Sequence, residues 1–214
     1  MDNPLLRLIQ LSDSAFPIGA YSHSFGLETF IERGAIRNFS EARAAIEGIL
    51  QMSIAPQDGV VCALAHGADD EQLLRLDEVL TAMKWPREIH EASLQLGERL
   101  KRIAVELEWC NSFPNISHHA VVFGYLSKQL KLPLEDTVSA FLFTSVTTLT
   151  SACVRLVPLG HTDGQRILSE CAGLVTQLTH DCLKAQEHDI RAFAPVHEQA
   201  CVEHEELYTR IFQS

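Results

Sequence analysis

The stretch Thr137-Val-Ser-Ala-Phe-Leu-Phe-Thr-Ser-Val-Thr-Thr-Leu-Thr-Ser-Ala-Cys-Val154 carries no charge, and Arg155 follows it directly. It approaches the length of a membrane span, which takes about 20 predominantly apolar residues. Five threonines and three serines break its apolar character. Thr and Val favour strand locally, yet the run is far longer than the usual strand of about five or six residues. The reading that fits both length and polarity is a helix buried at the centre of a helical protein.

Working outward, Pro133 with Glu135 and Asp136 behind it suits the first turn of that helix. Pro158-Leu159-Gly160 ends it. Thr162 and Gln165 then stand at capping-box spacing, ahead of the stripe Ile167, Cys171, Leu174, Leu178 and Cys182. Upstream, Ser40 caps a helix whose stripe is Ala42, Ala45, Ile46, Ile49 and Leu50. Leu73, Leu76, Leu80 and Met83 form another stripe. Pro86 opens a helix bearing Leu96, Leu100, Ile103 and Leu107. Asn111 to Asn115 break the pattern, which resumes near His118 with Val122, Tyr125 and Leu126. After Pro195 a last helix presents His197, Ala200, Cys201, His204, Leu207, Tyr208 and Ile211 on one face. There is no hairpin signal, internal repeat or low-complexity tract. The expected fold is all-α: a single-domain helical bundle of about eight to ten helices over residues 1–214. It has a loop at 12–28 and a C-terminal helix and tip at 196–214.

Composition narrows function. At 46% hydrophobic and 21% charged, the chain is ordinary globular material. Its net charge of −11 argues against nucleic acid as a main partner, since phosphate binding takes clustered Lys and Arg. None of the six cysteines forms a C-x-x-C pair, and several fall in apolar stripes. They read as reduced thiols of a cytoplasmic protein. Met1 to Gln10 lacks a basic region followed by a long apolar run, so no secretory signal is expected. No G-K-[ST] accompanies Gly19 and Gly26, so no nucleotide site is expected.

Metal ligation is not expected within one subunit. His118 and His119 are adjacent and diverge on a helix. His197 and His204 share a face but lie seven residues apart, roughly 10 Å at the helical rise; His180 and His188 are no better placed. A shared site across a symmetric dimer would escape that argument. His197 and His204 read instead as members of a packed face with polar partners.

The densest polar segment is Gln10 to Glu28, which sets Asp13, Tyr21, Ser22, His23, Ser24 and Glu28 among Pro17, Gly19 and Gly26. Ser22 or Ser24 with His23 as base would be a nucleophile pair, but sequence neighbours seldom reach that geometry and no G-x-S-x-G elbow is present. The polar groups can equally cap helices and satisfy the loop, or form a recognition loop. At the other end, Tyr208, Arg210 and Phe212 are residue types enriched at interfaces. Docking of that tip onto the home bundle is the alternative.

Together these segments resemble the urease accessory protein UreF family. The resemblance rests on Leu11–Glu28, Ser93-Leu-Gln-Leu-Gly97, His119-Ala-Val-Val-Phe-Gly124, Arg155-Leu-Val-Pro-Leu-Gly-His-Thr-Asp-Gly-Gln165 and His204–Ser214. Departures are small: Val202, His161 where the family often has Gln, and Ile211 for a commoner Leu. The resemblance implies an all-helical protein, usually a homodimer, that matures the nickel enzyme urease without catalysing a reaction. Its implied partners are UreD (also called UreH), the GTPase UreG and apo-urease, with no stably bound cofactor and nickel in transit. Neither nucleic acid nor membrane is an implied partner. A nickel-carrying metallochaperone is the alternative. Candidate partner-binding residues are Tyr21, Ser22, His23, Glu28, Gln165, Arg166, Tyr208, Arg210, Phe212 and Ser214. The implied UreD/UreH contact maps onto Tyr208 to Ser214.

Overall fold

A computed structural model describes residues 3–214. Met1 and Asp2, part of the stretch read for a leader, lie outside the described residues. Ten α-helices carry the described chain, with no strand among them: α1 Pro4–Leu11, α2 Leu27–Glu32, α3 Phe39–Ile49, α4 Val60–Gly67, α5 Asp70–Met83, α6 Arg87–Glu106, α7 His119–Gln129, α8 Leu134–Leu156, α9 His161–Lys184 and α10 Pro195–His204.

The uncharged run is α8, and it is the hub. It packs along α9 and touches α2, α3, α4 and α7. Helix α8 is long and apolar enough to cross a membrane, but half of its apolar window is buried inside the protein. Val138, Phe141, Leu142, Val146, Leu149 and Cys153 face inward. Its hydroxyls are accommodated locally: Thr137, Ser145, Thr147 and Thr148 each donate to the carbonyl four residues back, at 2.9–3.0 Å. That is how a run of strand-favouring residues is held as helix.

Two caps differ from the sequence reading. Helix α3 is capped by Asn38, whose Oδ1 accepts from Glu41 N, and Ser40 already lies inside the helix. Helix α9 begins at His161, and Asp163 rather than Thr162 supplies the side chain, accepting from Gly160 N. In both cases a carboxamide or carboxylate two residues or one residue away from the hydroxyl takes the role, which spacing alone does not rank.

The sequence reading also missed a π-helical segment, Leu50–Gly59, that joins α3 to α4 without a break. Pro56 lies inside it and has no N–H to give to the preceding turn. The Met52 carbonyl, one turn back, accepts instead from Phe193 N at 3.1 Å, and Pro56 O accepts from Arg191 N at 3.1 Å. The widened winding thus docks the chain that leads into α10.

Helix α7 lies against both α4 and α6. Its approach to α6 depends on Gly97, where a Cβ would fall inside the backbone around Ser117 O. Backbone cannot swing away as a side chain can. Gly97→Ala is expected to destabilise the protein by about 2–3 kcal/mol, read as a lower urea midpoint with an unchanged m-value; an unaltered midpoint would contradict this packing.

Candidate partner-binding site

The loop and the C-terminal segment, far apart in sequence, form one structure. Left-handed backbone at Gly19 and Gly26 brings the loop round a short 3-10 turn, Ala20–Ser22, and into α2. A Cβ at Gly26 would collide with Cys201 Sγ of α10, so only glycine combines that conformation with that contact. Phe25 is also left-handed, with φ 51°, an uncommon state for a residue with a side chain. It is pinned on both sides: Phe25 N donates to Ser214 O at 3.0 Å, and His197 Nε2 donates to Phe25 O at 2.8 Å.

The C-terminal segment is not a continuing helix. Helix α10 stops at His204, and residues 205–214 turn back across the loop. Ser24 N and Ser24 Oγ donate to Ser214 O at 2.6 and 2.8 Å, and Gln213 N donates to Ser22 O at 2.8 Å. His23 Nδ1 lies 2.8 Å from Ser214 Oγ. Phe212 is buried beneath the Arg155 guanidinium, 5.7 Å above its ring, and Arg155 donates to Tyr21 O at 2.7 Å.

A buried charge network closes the arrangement. Glu28 accepts from Ile211 N at 2.8 Å and Phe212 N at 3.1 Å. His204, fully buried, sits with Nε2 3.0 Å from Glu28 and Nδ1 2.6 Å from Glu88. Arg210 Nη1 donates to Glu88 at 2.7 Å. His204 thus stands between the two carboxylates, on a packed face with polar partners, as its sequence position led us to expect.

The candidate residues divide. His23, Glu28, Phe212 and Ser214 are buried and hold the tail to the bundle. Tyr21 is 61% exposed, Tyr208 fully exposed and Ile211 68% exposed; Arg210 is exposed but tied down by Glu88. Ser22 donates to Gly19 O at 2.8 Å. Gln165 and Arg166 lie exposed on α9, where Arg166 stacks on Phe39 and pairs with Glu170. They share no bond with the tail. Glu88 and Arg155 also hold the tail and loop in place, and the sequence reading did not single out either for that role. An acid in the first turn of α6 reads only as a complement to the helix dipole, so Glu88 gave no separate signal.

No nucleophile pair forms: Ser22 and Ser24 direct their hydroxyls to main-chain oxygens, and His23 meets neither. Among the described residues no group of three or more His, Cys, Asp or Glu side chains converges as a metal site. A second polar feature lies inside the bundle, a cavity of about 120 Å³ walled in part by Asp58, Lys84, His119 and His197. Lys84 pairs there with Asp58 at 2.8 Å and donates to Gln57 at 3.1 Å. His119 Nε2 and His197 Nδ1 are buried without a hydrogen-bond partner. Burial holds the His119 ring at a pKa of about 4 and lowers that of His197, so both rings are neutral at pH 7.

The UreF family profile matches residues 36–172. Urease accessory protein UreF of Bacillus sp. (strain TB-90) is 34% identical, over 99% of this chain and all of the relative. That of Paenarthrobacter aurescens (strain TC1) is 35% identical over 98% and 97%, and that of Lachnoclostridium phytofermentans 34% over the whole of both. The chain belongs to the UreF family of urease accessory proteins. Its role therefore lies in urease maturation. The UreF profile begins and ends inside the chain, short of both the loop and the tail, whereas the full-length UreF relatives extend over both.

Proposed function

We propose that this chain is a non-catalytic adaptor that joins UreD/UreH and recruits and modulates the GTPase UreG for nickel insertion into apo-urease. The observation that carries the reading is the two-sided tail. Its inner side is spent on Glu28, Glu88 and the loop, while Tyr208 and Ile211 stand largely exposed on the outer side. Large exposed aromatic and aliphatic groups on a rigid support are what a protein partner grips. The adaptor works as a homodimer in the cytoplasm, without nucleic acid, membrane or a resident cofactor. Burial fits the reducing compartment: the thiols of Cys153, Cys182 and Cys201 are pushed up to about 12, so they stay protonated and inert.

The internal cavity favours a second reading, in which the chain itself carries nickel. Two neutral, unpartnered imidazole nitrogens are suited to a borderline metal. On the adaptor reading the cavity encloses a path through which the ion passes. Equilibrium dialysis separates the two. The adaptor binds nickel weakly alone, whereas tight stoichiometric binding by the isolated chain would establish the carrier. Removal of residues 205–214 is expected to abolish co-purification with UreD/UreH; full retention would overturn the placement of that contact.

A further inference from the structure

His197 stands between two spaces. On its outer side a groove of about 560 Å³ opens at the surface, with Phe30, Ala45, Met52, Phe193 and Val196 among its walls. On its inner side lies the cavity of Asp58, Lys84 and His119. Ile49 and His197 line both. The π-helical segment continues this partition, with Met52 on the groove and Ser53, Gln57 and Asp58 on the cavity. Such windings are rare and occur often at functional sites.

The two shared residues differ in how they are held. Ile49 belongs to α3 and is packed into the core. His197 is half-buried; its ring is held by Nε2 on Phe25 O at 2.8 Å, with Cys201 Sγ 3.5 Å away. Its Nδ1 is buried without a partner, which makes this position of the ring costly. Turning the ring into the groove exchanges the Phe25 bond for water on both nitrogens, so the two positions lie close in free energy, as a two-state element requires. We propose that His197 is the gate through which a small cation passes from the groove into the cavity, latched shut by the Phe25 carbonyl. The charges on the way suit a cation: Glu41 is the acid among the groove walls, and Lys84 inside is paired with Asp58 at 2.8 Å. The proposal rests on the reading of the cavity as an ion path given above and names its entrance.

Thiol labelling inside the cavity tests it. Ser93 of α6 lines the cavity and is buried, so Ser93→Cys places a reporter there. The full chain carrying it is treated with 2-aminoethyl methanethiosulfonate, a small ammonium reagent, and modification is located by peptide mass. Cys62 and Cys171, fully buried, report any general opening. Position 93 is expected to label slowly, and His197→Ala to speed it by about tenfold or more, since rate follows the open fraction, with Cys62 and Cys171 still unlabelled. Ala44→Trp, which fills the groove from an exposed wall position, is expected to slow it by about tenfold. Should His197→Ala expose Cys62 as well, Ala44→Trp decides alone. Folded variants that label position 93 at one common rate would overturn the gate while leaving the path through the cavity standing. A position 93 that labels in urea but in none of the folded variants would overturn both.

Discussion

Glu28→Ala is expected to cost about 3–5 kcal/mol, the scale of leaving several buried hydrogen-bonding groups without their partner. The carboxylate does three things at once: it faces His204 Nε2 and accepts from the main-chain N–H groups of Ile211 and Phe212. Alanine leaves His204 Nε2 and two tail N–H groups without their partner in a buried setting. The tail should loosen first, since apart from Phe212 and Ser214 little of it is buried. The expected result is a lower urea midpoint together with rapid proteolytic clipping within residues 205–214. Glu28→Gln keeps an oxygen acceptor and the volume, and should lose substantially less. An alanine variant as stable and as protease-resistant as wild type would show that the network does not hold the tail.

Acid should weaken the fold steeply between pH 6.5 and about 4. Burial holds His23, His118 and His119 at about 4, against the usual 6.5; Arg99 adds to the effect at His23. The folded rings stay neutral across that window, while the unfolded chain takes up protons. Stability from these groups is complete above 6.5 and is lost as pH falls toward 4. Three such groups give a slope of up to about 4 kcal/mol per pH unit. Urea midpoints taken from pH 7.5 to 4.5 measure it. His119→Leu, which removes a ring packed on Phe123 and Phe141, should flatten the slope by about a third. A flat profile would mean that the histidines charge freely in the folded protein.

Much of this fold is legible in apolar spacing. The inward faces of α3, α5, α6 and α8 hold most of the residues that period and length pick out, because a helix that buries one face writes a 3.6-residue repeat; Leu107, read into the α6 stripe, instead lies just past the end of the helix and is exposed. The π segment escaped because its only local mark is Pro56, and the Phe193 N–H that completes it comes from the far end of the chain. The C-terminal helix was read too long for a similar reason. Leu207, Tyr208 and Ile211 continue the spacing of His197, Cys201 and His204, yet the chain turns at His204 to reach Glu28. Long-range hydrogen bonds leave no periodic trace. The loop and the tip stood out by composition, but that each is the other's support became visible only in three dimensions. Phe212 was read as a candidate interface residue from its type; the structure buries it against the bundle and leaves Tyr208 and Ile211 exposed.

The most direct test uses the outward side chains alone. Tyr208→Ala/Ile211→Ser removes largely exposed groups, so the thermal midpoint should stay nearly as it is. Affinity for UreD/UreH, measured by titration calorimetry, should fall at least about 30-fold, the loss of roughly 2 kcal/mol expected for a hot spot. Unchanged affinity in a folded double variant would contradict the claim that this tail is the partner-facing surface.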